Sequence, residues 1–372
     1  MDSHHLIIKQ QSGFRKQRQT RDNIFFLSIE ALESLNRRKK MLTIFFDIAS
    51  AFDKVWQNGL VYKLIDSKFP NHLISWIKEF LQNRLFCVRV GSVITSKLNI
   101  LTGVPQGAVL SPTLFTIFIN DIPVKFSKNK FYSLLFADDL CAFKIFKKFG
   151  NIKKQIQAYL NLIEKWLKKW RLMMAPLKCN YTIFTSDKSF DADIDIKLFN
   201  TKIAMNEEIT FLGIRFDRHL SFKNQINYLK ESCSKRMNVL KVLSNKSWGL
   251  SVKTLMEVYN SLIRSLMEYS SILYPAFSTT NMETLEKIQL RCWKIIHKKS
   301  KFESNANIKS LQSYLAISDR FDELNLRYFK NTFVNRNEII MDLYKDYREY
   351  SDSRELRRKS LFCNYKNKLI IQ

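Results

Sequence analysis

The sequence predicts an α+β chain, and three observations carry that expectation. Short apolar runs that read as strands alternate with helical periods up to about residue 219. Two β-prone runs, 131–136 and 140–146, flank an acidic tip and read as a hairpin. From Leu220 onward the pattern is helical alone, a shift that marks a domain boundary near 220.

Each element follows from the pattern in order. The first forty residues are polar and basic, with a helix expected from about Asn23 to Lys39. Met41 to Asp47 is short, apolar and closed by an acid, so it reads as a buried strand. Helical patterning runs from about Gly59 to Leu81, and 86–101 alternates like strands. Thr102 to Gly107 reads as a turn, followed by a helix from about Ser111 to Ile119. Ile152, Ile156, Tyr159, Leu160, Ile163, Trp166, Leu167 and Trp170 recur at a 3.6 period and mark one apolar helix face. Strands are expected at 181–185, 194–199 and 210–216. Helices are expected near 224–244, 251–273 and 282–299, with weaker ones to the end.

Composition narrows the function. Among 372 residues, 61 Lys and Arg against 34 Asp and Glu give +27, which points to a polyanionic partner, most simply nucleic acid. No apolar run approaches a membrane span, and no secretory signal opens the chain. The six cysteines stand singly, without Cys-x-x-Cys pairs, which argues against zinc sites and disulfides; buried free thiols in a reducing intracellular compartment are expected. Neither GxGxxG nor GxxxxGKS/T is present, so dinucleotide-binding and P-loop readings fall away.

The acids carry the chemistry. Asp47 ends a strand, and Asp138 and Asp139 sit at a hairpin tip. If the two strand elements are neighbours, about 4.8 Å apart, the carboxylates converge. Taken alone, each Asp is an ordinary turn residue. Together in a basic protein they repel one another unless a hard cation lies between them, and all-oxygen ligation suits Mg²⁺ or Mn²⁺. Two such ions serve in-line displacement at phosphorus.

Seven segments in order resemble the reverse transcriptases of non-LTR, jockey-type LINE-like retrotransposons. They are Gly13 to Ile24, Asp47 to Trp56, Phe80 to Arg84, Gly103 to Pro112 with Asn120 to Pro123, Phe136 to Asp139, Trp166 to Cys179, and Phe211 to Ile214. The resemblance implies a right-hand polymerase: residual fingers at 1–40, a palm of antiparallel sheet and packed helices at 41–219, a helical thumb at 220–300, and a helical extension at 301–372. It implies an RNA-directed DNA polymerase acting on an RNA template, a DNA primer or target and dNTPs, with Mg²⁺ or Mn²⁺ as cofactor and activity in cytoplasm or nucleus. Asp47 and Asp138 would ligate the metals with Asp139 in support, and Lys178 would protonate pyrophosphate. Phe52 would exclude a 2′-hydroxyl, Gln106 and Gly107 would meet the incoming nucleotide, and Arg15 and Arg18 would face triphosphate or template. Leu212 and Gly213 would form the primer-grip turn. Asp53 reads as structural.

The family's fingers region is longer than the stretch before Gly13, and Gln17, Gln19 and Ala175 replace its usual Gly, Ser and Asn. The chain therefore reads as N-terminally truncated, with any endonuclease supplied by another domain or chain. An inactive remnant that binds nucleic acid without polymerising is the alternative. Finally, Lys287, Arg291, Lys294 and Lys298 recur at four, three and four residues, and read as a helix face that tracks duplex phosphates.

Overall fold

A computed structural model describes residues 6–122, 131–190, 193–245 and 247–351, with side chains to 345. Pro123, Cys363 and any helix beyond 351 lie outside the described residues. The chain divides into two compact units. One holds Asn23 and the chain before it together with Lys39–Asn206; the other holds Ile24–Arg38 and the chain from Glu207 on.

Helix α1 (Thr20–Asn36) leads into β1 (Lys40–Phe46), whose six apolar or hydroxyl residues after Lys40 are all buried. Helices α2 (Gln57–Asp66) and α3 (Asn71–Leu81) replace the single expected helix over 59–81. The reason is local: Lys68 turns to φ +56°, and Pro70 cannot donate to the preceding turn. Four two-residue strands follow, β2 (Leu85–Phe86), β3 (Arg89–Val90), β4 (Val93–Ile94) and β5 (Leu98–Asn99), with β3–β4 nested inside β2–β5. Then come α4 (Ser111–Phe118), β6 (Tyr132–Phe136), β7 (Asp139–Phe146), α5 (Ile152–Trp170) and β8 (Asn180–Phe184). Of the strand expected at 194–199 only Lys197–Leu198 (β9) pairs, with β10 (Thr201–Lys202); β11 is Ala204–Met205.

The central sheet runs β11-β8-β1-β7-β6, antiparallel except where β11 meets β8. β1 lies in its middle, with Phe46 opposite Leu140 of β7 and Met41 opposite Phe184 of β8. The eight apolar face positions of α5 named above are all buried. Tyr159 stacks on Phe131 at 4.6 Å, and its hydroxyl shares a hydrogen bond with Ser133, so a polar tip is satisfied inside the core. Lys63 is also buried. Its ammonium lies 3.7 Å from the centre of the Trp170 ring and donates to Phe118 O and Asp121.

In the second unit, β12 (Glu208–Phe211) and β13 (Ile214–Asp217) form a hairpin. Asp217 accepts from the amides of His219, Ser221 and Phe222, which shapes the entry to α6 (Lys223–Leu243). The stretch expected as one helix over 251–273 is composite: α7 (Val252–Tyr259), a π turn at Asn260–Arg264, α8 (Ser265–Tyr269) and a 3₁₀ turn at Ser271–Ala276. It is followed by α9 (Thr279–Ile296), α10 (Asn305–Lys309), α11 (Ile317–Val334) and α12 (Glu338–Ser351). Ser251, Ser278 and Ser304 cap α7, α9 and α10 by accepting from the third amide on.

The units divide at 206/207, whereas the helical pattern starts at 220, because the β12–β13 hairpin is tied to the helices. Gln225 accepts from Arg215 N, and the Tyr269 hydroxyl donates to Leu212 O. No break occurs at 300: Gln289 of α9 donates to Leu315 O. Phe25 of α1 packs on Phe329 at 5.2 Å, in keeping with the place of Ile24–Arg38, most of α1, in the second unit. No described helix is long and apolar enough to cross a membrane. Cys141, Cys179, Cys233 and Cys292 are buried free thiols, but Cys87, expected to be buried, is exposed on the short hairpins.

Candidate active site

Register brings the acids together. Phe46 pairs with Leu140, so Asp47, the next residue, continues toward Asp139, the first residue of β7. The β6–β7 turn is tight, with Phe136 opposite Asp139 and only Ala137 and Asp138 between them. Ala137 sits at φ +55°, a conformation that normally favours glycine. Although Asp139 as a residue is exposed, its carboxyl is partly enclosed. That burial, then Asp138, then Asp47, push its pKa up to about 6. Among the described residues, no three His, Cys, Asp or Glu side chains form a ready-made metal cage. The donor set nonetheless suits a hard divalent cation. Its oxygens are of the right kind, and the repulsion that raises Asp139 is what such a cation relieves.

A second segment closes on Asp47 from the other side. Met174 bridges Ile48, and Ala175 N donates to Asp47 O at 3.0 Å. The turn that follows brings Lys178 Nζ to 3.9 Å from Asp47 Oδ2, with 71% of the lysine side chain exposed. Beside it the Cys179 thiol is buried and pushed up to about 11, so it is inert as a nucleophile or soft ligand.

The loop at 102–107 is braced by neighbours. Val104 N donates to Phe52 O, and Gly103 at φ +80° has no room for a Cβ, which would lie 2.8 Å from the Asp53 backbone. Arg84 donates to the carbonyls of Leu81, Thr102 and Gly103, so this arginine is a strut for the loop. The Gln106 amide donates to Asp53 at 2.9 Å. Gly107, at φ +85°, has open space around it. The Phe52 ring stacks on Phe115 at 4.8 Å and meets the edge of Phe14 at 6.1 Å. Arg15 is placed differently from a residue facing solvent: its Nη1 donates to the carbonyls of Ile8 and Gln11. Arg18 is half-buried and donates its amide to Arg15 O.

Leu212 and Gly213 belong to the second unit. Both lie at positive φ, +46° and +77°, and form the β12–β13 turn. Lys287, Arg291 and Lys294 line a groove of about 770 Å³ between α6 and α9, together with Lys241, Lys299 and Lys301. Lys298 does not join them. Helix α9 ends at Ile296, and Lys298 turns to φ +53° with its ammonium 3.5 Å from Asn245 O, so the expected four-residue stripe is a three-residue one. Gln11, absent from the sequence reading, is buried beside the acidic turn and hydrogen-bonds to Ala137.

Residues 1–216 match the family described as reverse transcriptase (RNA-dependent DNA polymerase). The chain is 25% identical over 342 residues to the RNA-directed DNA polymerase from mobile element jockey of Drosophila melanogaster, across 91% of this chain and 37% of the relative. It is 27% identical over 345 residues to the jockey polymerase of Drosophila funebris, with the same two coverages. The chain thus spans a little over a third of the length of these relatives. A solved telomerase structure from Candida tropicalis, in complex with a telomeric RNA fragment, aligns with a TM-score of 0.42 at 13% identity, over 85% of this chain and 53% of that one. The family match covers more than half the chain and includes the acidic turn, the Phe52 loop and the Lys178 segment: the chain belongs to the reverse transcriptase family.

Proposed function

We propose that this chain is an RNA-directed DNA polymerase that transfers nucleotides onto a primer 3′-hydroxyl, of the kind carried by non-LTR retrotransposons. The observation that carries the reading is the meeting of Asp47, Asp138 and Asp139 at one end of the sheet, close enough that the first two raise the proton affinity of the third. Asp47 and Asp138 would hold divalent metal, with Asp139 in support. Bound Mg²⁺ or Mn²⁺ supplies Lewis acidity toward the primer hydroxyl and the leaving pyrophosphate.

The protein's own groups do the rest. Lys178, largely exposed and near Asp47, is free to turn and give a proton to the departing pyrophosphate. The Phe52 ring, held on two sides by Phe115 and Phe14, is a fixed wall under the incoming sugar, where a 2′-hydroxyl finds no room. Gln106, held by Asp53, and the open backbone at Gly107 receive the nucleotide. Arg15 and Arg18 contribute positive charge for triphosphate or template. In the second unit the Leu212–Gly213 turn holds the primer end, and Lys287, Arg291 and Lys294 hold duplex phosphates. These parts correspond to palm, fingers and thumb. Buried free thiols suit a reducing intracellular compartment.

Primer extension by the purified chain on an RNA template, with dNTPs and Mg²⁺ or Mn²⁺, tests the reading. Extension is expected, and Asp138→Asn should lower it by about a thousandfold or more while leaving nucleic-acid binding intact. Extension by the Asn variant at the parent rate refutes the site. A parent chain that binds template–primer but never extends it supports the inactive remnant instead.

A further inference from the structure

We infer that Gln11 is the positioning residue of the acidic turn: its side-chain amide fixes the backbone of Ala137 and so aims Asp138 and Asp139 at Asp47. The inference rests on the reading of these carboxylates as the metal-binding site.

Gln11 is 1% exposed. Its Oε1 accepts two amides, Gly13 N at 2.7 Å and Ala137 N at 3.0 Å, and its Nε2 donates to Ala137 O at 3.3 Å. One side chain therefore holds both backbone groups of the residue immediately before Asp138. That residue needs holding. Ala137 is a left-handed non-glycine in a two-residue turn, a conformation that costs on the order of 1 kcal/mol and persists only where neighbours enforce it. The backbone around Gln11 makes the clamp rigid. Leu135 N donates to Gln10 O and Ser12 N donates to Leu135 O, so residues 10–12 run parallel beside β6. Gly13 then lies so close that a Cβ built on it would come within 2.1 Å of Ala137 N. Buried Asn23 adds a hydrogen bond to Leu135 O from the same side. Gln11 touches none of the carboxylates in this arrangement; it acts through the peptide that carries them. Groups that orient metal ligands in this way are typically worth about 10–100-fold in metal affinity or activity.

The test uses the full chain and Mn²⁺ alone, without nucleotide or nucleic acid, with binding read by the electron paramagnetic resonance of free Mn²⁺. Gln11→Ala should weaken Mn²⁺ binding by about tenfold or more, and amide exchange at Ala137 should quicken. Gln11→Met fills a similar buried volume without either hydrogen-bonding group and without a new charge, so it should weaken Mn²⁺ binding as Ala does. It decides the matter if the Ala variant does not fold. Asp138→Asn is the reference. If it abolishes Mn²⁺ binding while Gln11→Ala and Gln11→Met bind as the parent does, the inference about Gln11 is wrong and the metal site stands. If Asp138→Asn itself binds Mn²⁺ as the parent does, the site reading and the inference fall together. Weakened binding in both Gln11 variants with unchanged exchange at Ala137 also overturns it, because the effect would then not pass through the turn.

Discussion

Two hairpin tips, one in each compact unit, are held from outside by a side chain far away in sequence, yet they are held differently. The β6–β7 tip is gripped at both backbone groups of Ala137 by the buried amide of Gln11, with Gly13 pressed against it. The β12–β13 tip is held at one carbonyl, Leu212 O, by the Tyr269 hydroxyl, and the Tyr269 ring lies at ordinary contact distance, 3.5 Å from a Cβ built on Gly213. On the function proposed above, the first tip carries charges whose placement must be accurate to a fraction of an ångström, and the second presents backbone to a flexible polymer. Rigid support follows the stricter geometric demand.

Adding one methyl group at each glycine is the strongest way to break this comparison. Gly13→Ala drives a Cβ into backbone that cannot yield, and should destabilise toward the upper end of roughly 1–3 kcal/mol. Gly213→Ala meets no clash and should cost about 1 kcal/mol, for its positive φ alone. Urea unfolding of both variants checks this, and equal losses would mean that the tips are equally tolerant. A smaller effect is expected from Tyr269→Phe, which removes one hydrogen bond and leaves the ring in place. About 1 kcal/mol or less should be lost, because solvent can reach the freed carbonyl, and primer extension should drop less than in either Gln11 variant.

Much of the first tip was legible in the sequence. An acid closing a short apolar run, and two more between β-prone runs, are local signals, and the register then brings them together. The apolar face of α5 was likewise legible, because a 3.6 period over nineteen residues has few other solutions. Gln11 was not legible. It stands in a polar, basic stretch like any surface residue, and its partner is 126 residues away. The break at Pro70 was hidden by continuous apolar periodicity on both sides of it. Lys298 looked like part of a stripe because periodicity does not reveal where a helix stops, and α9 stops two residues earlier. The exposure of Cys87 depends on hairpins whose strands are two residues long, too short to announce which face is buried.

A separate expected effect concerns the core rather than the tips. Burial pulls the Lys63 ammonium down from an ordinary 10.5 to about 8, against the opposing pull of Asp121. Below about pH 8 the group is charged in both states, whereas between pH 8 and 10 the unfolded chain binds more protons than the folded one. Stability attributable to this lysine therefore rises with pH across that window. The stability of the parent relative to Lys63→Met, measured by urea unfolding, should be level from pH 6 to 7.5 and climb from 8 to 10. A flat difference across the whole range would show that Lys63 titrates as an exposed lysine does.

The contact between Gln11 and Ala137 also sets a schedule. The clamp is made before the turn it grips, which follows 126 residues later. At roughly 5–20 residues per second, that is a delay on the order of 6–25 s at the ribosome. Through that interval β1 has neither β7 nor β8 beside it, because both lie downstream in the chain. The acidic site therefore cannot assemble segment by segment in the order the chain is made. It closes in a late step that joins the first-made segment of the unit to strands made much later, and until then the apolar strand between them is open to whatever helpers or competitors the cell supplies.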